Sequence, residues 1–162
     1  MAKRRKSSQD DERISAADVA AFIEEVCFVP EGQHVGKKLK LYDWQKREIE
    51  RIYDNPAGTR RAILSFGRKN GKTTFAACLL LAHLCGPPAK SRPNSQLFSA
   101  AQSRDQAGII LLAAKMVRLN PVLSRAVTIR ETAKELICPE LARATGRCRL
   151  TRQPHSGCRR PW

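Results

Sequence analysis

None of the six cysteines (27, 78, 85, 138, 148, 158) sits in a C-x-x-C pair. Cys148 and Cys158 bracket His155, but at a spacing that fits no standard zinc pattern, so a metal–thiolate site and a disulfide framework are both set aside. No apolar run reaches the ~18 residues that a membrane helix needs. The N-terminus lacks the apolar segment of a signal peptide, and the expectation is a cytoplasmic protein without a membrane partner. Acid is scarce: 15 aspartates and glutamates stand against 30 lysines and arginines, for a formal net charge of +15. The two ends account for part of this. Residues 1–13 carry five basic and three acidic groups, and 142–162 carry six arginines and no acid. Residues 14–141 keep a surplus of seven positive charges, which favours a polyanionic partner such as nucleic acid, or at its plainest keeps the protein in solution.

What is present centres on Ser65-Phe66-Gly67-Arg68-Lys69-Asn70-Gly71-Lys72-Thr73-Thr74. The apolar run Arg61–Leu64 before it reads as a buried strand, and Phe75–Leu84 after it reads as a buried helix. Strand, glycine-containing loop ending in Gly-Lys-Thr, and helix form the context of a phosphate-binding loop. Gly67 and Gly71 let backbone N–H groups curl round an anion, and a helix N-terminus adds its positive end. Lys72 reaches for the β- and γ-phosphates of a nucleotide, and the Thr73 hydroxyl for Mg²⁺. The usual pattern has glycine where Phe66 stands here. A basic turn without nucleotide is the plainer reading of the same residues.

The flanking chain supports an α/β fold. Residues 1–13 read as a disordered basic arm. Ser15 is a candidate cap for a helix over Ala16–Val26, with Val19, Phe22, Ile23 and Val26 on one face. Phe28–Gly32 breaks it, and a Gly- and Lys-rich loop follows. Asp43 is the candidate cap of a helix running to about Tyr53. Trp44-Gln45 at its start suggests an adenine clamp, because a glutamine amide offers both a donor and an acceptor to the adenine edge. Without the loop downstream, Trp44 would read as core and Gln45 as surface. Ser95–Ala100 reads as a strand, Ser103 caps a helix to about Leu119 with Ile109, Leu112, Ala113 and Met116 inward, and Val127–Ile129 and Leu136–Cys138 are further strand candidates. Strands alternating with helices predict a parallel sheet flanked by helices. After Leu141 apolar periodicity ends and every basic residue is arginine. Residues 142–162 therefore read as an irregular tail: either an arginine-rich nucleic-acid-binding segment or, as preferred here, the product of a reading-frame shift.

With those residues assembled, the chain resembles the N-terminal ATPase part of the tailed-phage terminase large subunits. The matching blocks are Phe28–Gly32, Leu41–Gln45, Arg61–Thr74 and Asn94–Ala107, in the family's order, within about residues 15–141. The resemblance implies a P-loop NTPase-type α/β domain of which residues 14–141 are the N-terminal half. It implies ATP and Mg²⁺ as cofactors, with Gly67, Arg68, Lys69, Asn70, Gly71, Lys72, Thr73 and Thr74 around the phosphates and Thr73 on the metal. Gln45 would read adenine. Arg68 would stabilise charge on the transferred phosphoryl group, unless it is simply a surface or DNA-facing charge. Ser99–Gln106 would couple nucleotide state to DNA contact, unless it is an ordinary strand-to-helix turn. In the full-length family the partners are double-stranded DNA, a portal and a small terminase subunit, and a nuclease domain cuts the DNA. Hydrolysis in the family needs an apolar strand ending in Asp-Glu. The acids after Lys72 are Asp105, Glu131, Glu135 and Glu140, and none forms such a pair. The expectation is the nucleotide-binding half of a packaging motor without its hydrolytic half, truncated or frameshifted. The competing classes are a helicase-like ATPase and a non-enzymatic basic protein that binds nucleic acid through its arms.

Overall fold

The computed structural model describes residues 14–90, 95–101, 108–141 and 143–149. Helix α1 spans Ala16–Val26, with Ser15 accepting from the Ala17 N–H at 3.1 Å, as its cap position predicts. Val19 and Ile23 are fully buried, and Phe22 and Val26 pack at the margin of the core. Helix α2 spans Asp43–Tyr53 and runs antiparallel to α1, because the pair is tied at both ends. Asp54 Oδ1 accepts from the Ala16 N–H at 2.9 Å, and Glu24 Oε1 accepts from the Leu41 N–H at 3.1 Å. Glu24 also pairs with Lys46 at 3.0 Å, and that ammonium, with the Leu41 N–H, holds the Glu24 carboxyl below its ordinary pKa. Between the helices, an isolated bridge pairs Phe28 with Lys38 and folds residues 27–39 back on themselves.

Helix α3, Lys72–Cys85, is the central element. It packs on α5 (Gly108–Leu119), on α1 and on the sheet, and a helix covered on several sides is apolar all round. Phe75, Ala77, Cys78, Leu81, Ala82 and Leu84 are its buried residues. Gly86 ends it: a Cβ there would lie 2.7 Å from the Ala82 carbonyl oxygen, so only glycine fits. A short turn of helix, α4 (Pro87–Lys90), follows. On α5 the inward residues are Ile110, Ala113, Ala114, Met116 and Val117. The predicted face is thus turned by one residue, with Ile109 and Leu112 half-buried at its edge. Helix α6 is Pro121–Ala126.

Four strands make the sheet: β1 (Gln96–Ala101), β2 (Thr128–Arg130), β3 (Glu135–Cys138) and β4 (Arg143–Arg149), in the order β1-β4-β3-β2. The β1–β4 pair is parallel, whereas β3 joins β4, and β2 joins β3, antiparallel. The α/β class holds, with a mixed sheet.

Two sequence expectations are corrected. Arg61–Leu64 forms no strand: these residues are exposed, Ile63 at 87%, and β1 takes β4 as its parallel neighbour instead. An apolar run becomes a strand only where a neighbouring backbone is there to pair with it. Conversely, residues 143–149 are not irregular. They form β4 between β1 and β3, because ladder bonds come from the backbone and need no apolar periodicity. One side chain seals the place: Thr145 is buried, and its hydroxyl accepts from the Leu136 N–H at 2.9 Å. Residues 1–13, 102–107 and 150–162, which hold the basic arm, much of the coupling segment and the rest of the tail, lie outside the described residues.

The described cysteines 27, 78, 85 and 138 are free thiols of the core. Contact with Cys78 and burial both raise the Cys27 pKa, and burial pushes Cys85 up to about 12. Thiols held protonated in this way are packing groups.

Candidate functional site

The N-terminus of α3 is built from three features of the loop before it. Gly71, the cap residue, is left-handed at φ +65°, and its carbonyl accepts from the Phe75 N–H at 2.9 Å. Lys69 is also left-handed at φ +65°, a conformation that costs a lysine on the order of 1 kcal/mol. Left-handed residues alternating with others turn successive N–H groups to one side, the geometry of an anion nest. Gly67 has the Asn70 side-chain amide close against it, since a Cβ there would stand 3.3 Å from Asn70 Nδ2.

The first-turn N–H groups of Lys72, Thr73 and Thr74 have no acceptor within the helix. No acidic side chain occupies that turn. Lys72 and Thr73 are exposed, Thr74 is half-buried, and Arg68, Lys69 and Asn70 are exposed on the loop. The arrangement therefore presents donors and positive charge to solvent at the positive end of a 14-residue helix, the electrostatics that an anionic ligand requires.

Gln45 lies elsewhere in sequence, on the first turn of α2, and is buried at 7% exposure. Its Oε1 accepts from the Tyr42 N–H at 3.0 Å, and Tyr42, not Asp43, is the cap residue of α2. This fixes the amide plane. A carbonyl oxygen has two lone pairs, and one such bond leaves acceptor capacity over. Its neighbour Trp44 brings α2 to the loop: the Trp44 and Phe66 ring centroids are 4.7 Å apart, tilted by 60°. Phe75, on the first turn of α3, closes a triangle at 6.2 Å from Trp44 and 6.4 Å from Phe66. Sequence reasoning expected Gln45 and the loop in one site and missed the rings, which join Trp44 on α2 to the loop. The signal available was Phe66 itself, a large ring where the generic pattern has glycine.

Glu131 pairs with Arg118, Glu135 stands in β3, and Glu140 is exposed in the 3₁₀ turn Pro139–Leu141. Among the described residues no three His, Cys, Asp or Glu side chains group as a metal site, and none of the four strands ends on Asp-Glu. Also among the described residues, no helix is long and apolar enough to cross a membrane.

Comparison with known proteins places this geometry in a family. Residues 37–142 match the family of the terminase large subunit, ATPase domain. The terminase large subunit of Enterobacteria phage HK97 is 53% identical over 120 residues, which is 74% of this chain and 23% of that protein. The crystal structure of the HK97 bacteriophage large terminase superposes with a TM-score of 0.76 at 43% identity, covering 88% of this chain and 29% of that one. The chain thus spans about a quarter of the length of these relatives.

Proposed function

This chain belongs to the terminase large subunit ATPase domain family, and on that footing we propose that its 67–74 loop binds the phosphates of ATP with Mg²⁺. One observation carries the reading. The acid-free first turn of α3 follows a left-handed Gly71, with the exposed Lys72 and Thr73 at its mouth. Lys72 would neutralise the β- and γ-phosphates, and Thr73 would hold the metal through its hydroxyl. Gly67, Lys69, Asn70, Gly71 and Thr74 would shape the cradle. Arg68 would meet charge that develops on the transferred phosphoryl group. Gln45 would take the adenine edge. Bound Mg²⁺ would supply charge neutralisation at the phosphates.

The proposed division is a basic arm over 1–13 and an ATPase part from residue 14 whose sheet takes in β4 at 143–149, followed by arginine-rich residues 150–162. Double-stranded DNA, in a cytoplasmic setting, is the polymer that the positive surplus suits, as packaging terminases act on it. None of the described strands ends on Asp-Glu, which supports binding without turnover.

The experiment is equilibrium ATP binding and steady-state hydrolysis with Mg²⁺, for the wild type beside Lys72→Ala. Binding that falls by about tenfold or more in Lys72→Ala is expected, with no turnover above background. Binding indifferent to Lys72 would overturn the site. Turnover that disappears with Lys72 would overturn the binding-only reading and direct attention to Glu131 or Glu140 as base.

A further inference from the structure

We infer that Phe66 is a positioning residue for base recognition: its ring against Trp44 couples the phosphate loop to the end of α2 that carries Gln45. The inference rests on the nucleotide reading above and names what sets specificity at that site.

Five observations carry it. Phe66 is half-buried while Ser65 and Gly67 on either side are exposed, so the ring is where this stretch of loop is anchored. The ring is anchored on Trp44, with its centroid at 4.7 Å, and Phe75 stands beside both. Phe75 is 2% exposed in the first turn of α3, so the triangle stands on the core. Gln45 follows Trp44 directly and has its amide oriented by the Tyr42 N–H. Finally, the start of α2 is tied to α1, because Glu24 holds the Leu41 N–H and Lys46. The three rings therefore join the loop, the first turn of α3 and the first turn of α2.

A nucleotide that used both ends of this site would span from the α3 N-terminus to Gln45. Its base contact contributes only if the separation of those two points is set in advance, since ordering them on binding offsets the gain. Aromatic pairs of this geometry are attractive beyond the area they bury. They are also stiff, which a flexible aliphatic contact is not. With a small aliphatic at position 66, the loop's left-handed residues and Lys72 remain and phosphate is still held, but the link to Gln45 is slack. The side chain thereby separates two properties, affinity for phosphate and choice of base.

The test measures binding of ATP, GTP and tripolyphosphate, each with Mg²⁺, to the full chain as wild type, Phe66→Leu, Phe66→Tyr, Trp44→Leu and Lys72→Ala. The wild type is expected to prefer ATP over GTP by about tenfold or more. Phe66→Leu and Trp44→Leu are each expected to bring that ratio within about threefold while tripolyphosphate affinity moves by less than about threefold. Phe66→Tyr keeps the preference. Retained tripolyphosphate binding shows that the variant loop is folded. A wild type without base preference, or a Phe66→Leu chain that keeps the ATP preference, overturns the inference. So does a Phe66→Leu chain that loses tripolyphosphate together with ATP, for the ring would then be a prop of the loop. A wild type that binds none of the three, or a Lys72→Ala chain that binds all three undiminished, overturns the nucleotide reading itself and this inference with it.

Discussion

The Tyr53 hydroxyl lies 2.8 Å from Nε2 of His83, with the two rings stacked at 5.8 Å, and this contact joins the last turn of α2 to the last turn of α3. Burial raises the Tyr53 pKa to about 12 from an ordinary value of 10.0. A group whose folded pKa is raised contributes stability that is whole below its unfolded pKa and is lost as pH climbs through the folded value. Stability should therefore fall from pH 10.0 and finish falling near 12. The upper bound is about 3 kcal/mol, and partial exposure reduces it. Urea midpoints measured across that range should decline less steeply for Tyr53→Phe, and parallel curves would refute the assignment.

Asn120 joins three elements. Its Oδ1 accepts from the Val122 and Leu123 N–H groups at 2.8 and 3.4 Å, capping α6, and its Nδ2 donates to the Val26 carbonyl at 2.8 Å. It is 7% exposed. Asn120→Ala removes the cap and leaves a carbonyl at the end of α1 without that donor. The expected loss in chemical denaturation is about 1–3 kcal/mol. Asn120→Asp should keep the cap but not the donor, and fall between.

Thr145 reports on β4. Thr145→Val keeps the shape but leaves the buried Leu136 N–H without its acceptor, at an expected cost of about 1–3 kcal/mol. Thr145→Ser should recover most of it. An unchanged Thr145→Val chain would mean that β4 does not hold this register.

Ile63 tests the corrected strand. Its side chain is 87% exposed, so Ile63→Thr should alter stability by no more than about 0.5 kcal/mol, the range of ordinary surface substitutions. A buried strand residue would lose well over that, as seen in its denaturation midpoint.

Much of the architecture was readable along the chain. The apolar spacing of α1, the Ser15 cap and the apolar stretch of α3 are local properties, and the structure keeps them. The alternation of strand and helix named the α/β class correctly. One local reading failed: Asp43 looked like a cap by residue type, yet the cap residue is Tyr42, whose N–H donates to the Gln45 side chain. Elsewhere a distant partner decided. Around the loop, residue types suggested the phosphate site that we propose, but the ring contact from Phe66 to Trp44 joins positions 22 residues apart and left no periodic trace.

The sequence by itself determined helices α1, α2 and α3, the Ser15 cap and the Gly-Lys-Thr turn, because each depends on dihedral preferences and hydrogen bonds within a few residues. Only the tertiary structure decided that 61–64 stays exposed, that the arginine-rich 143–149 enters the sheet beside β1, and that α2 meets the loop through three rings. Strand pairing and ring packing depend on which backbone and which side chain arrive at the same place, and that is a property of the folded chain as a whole.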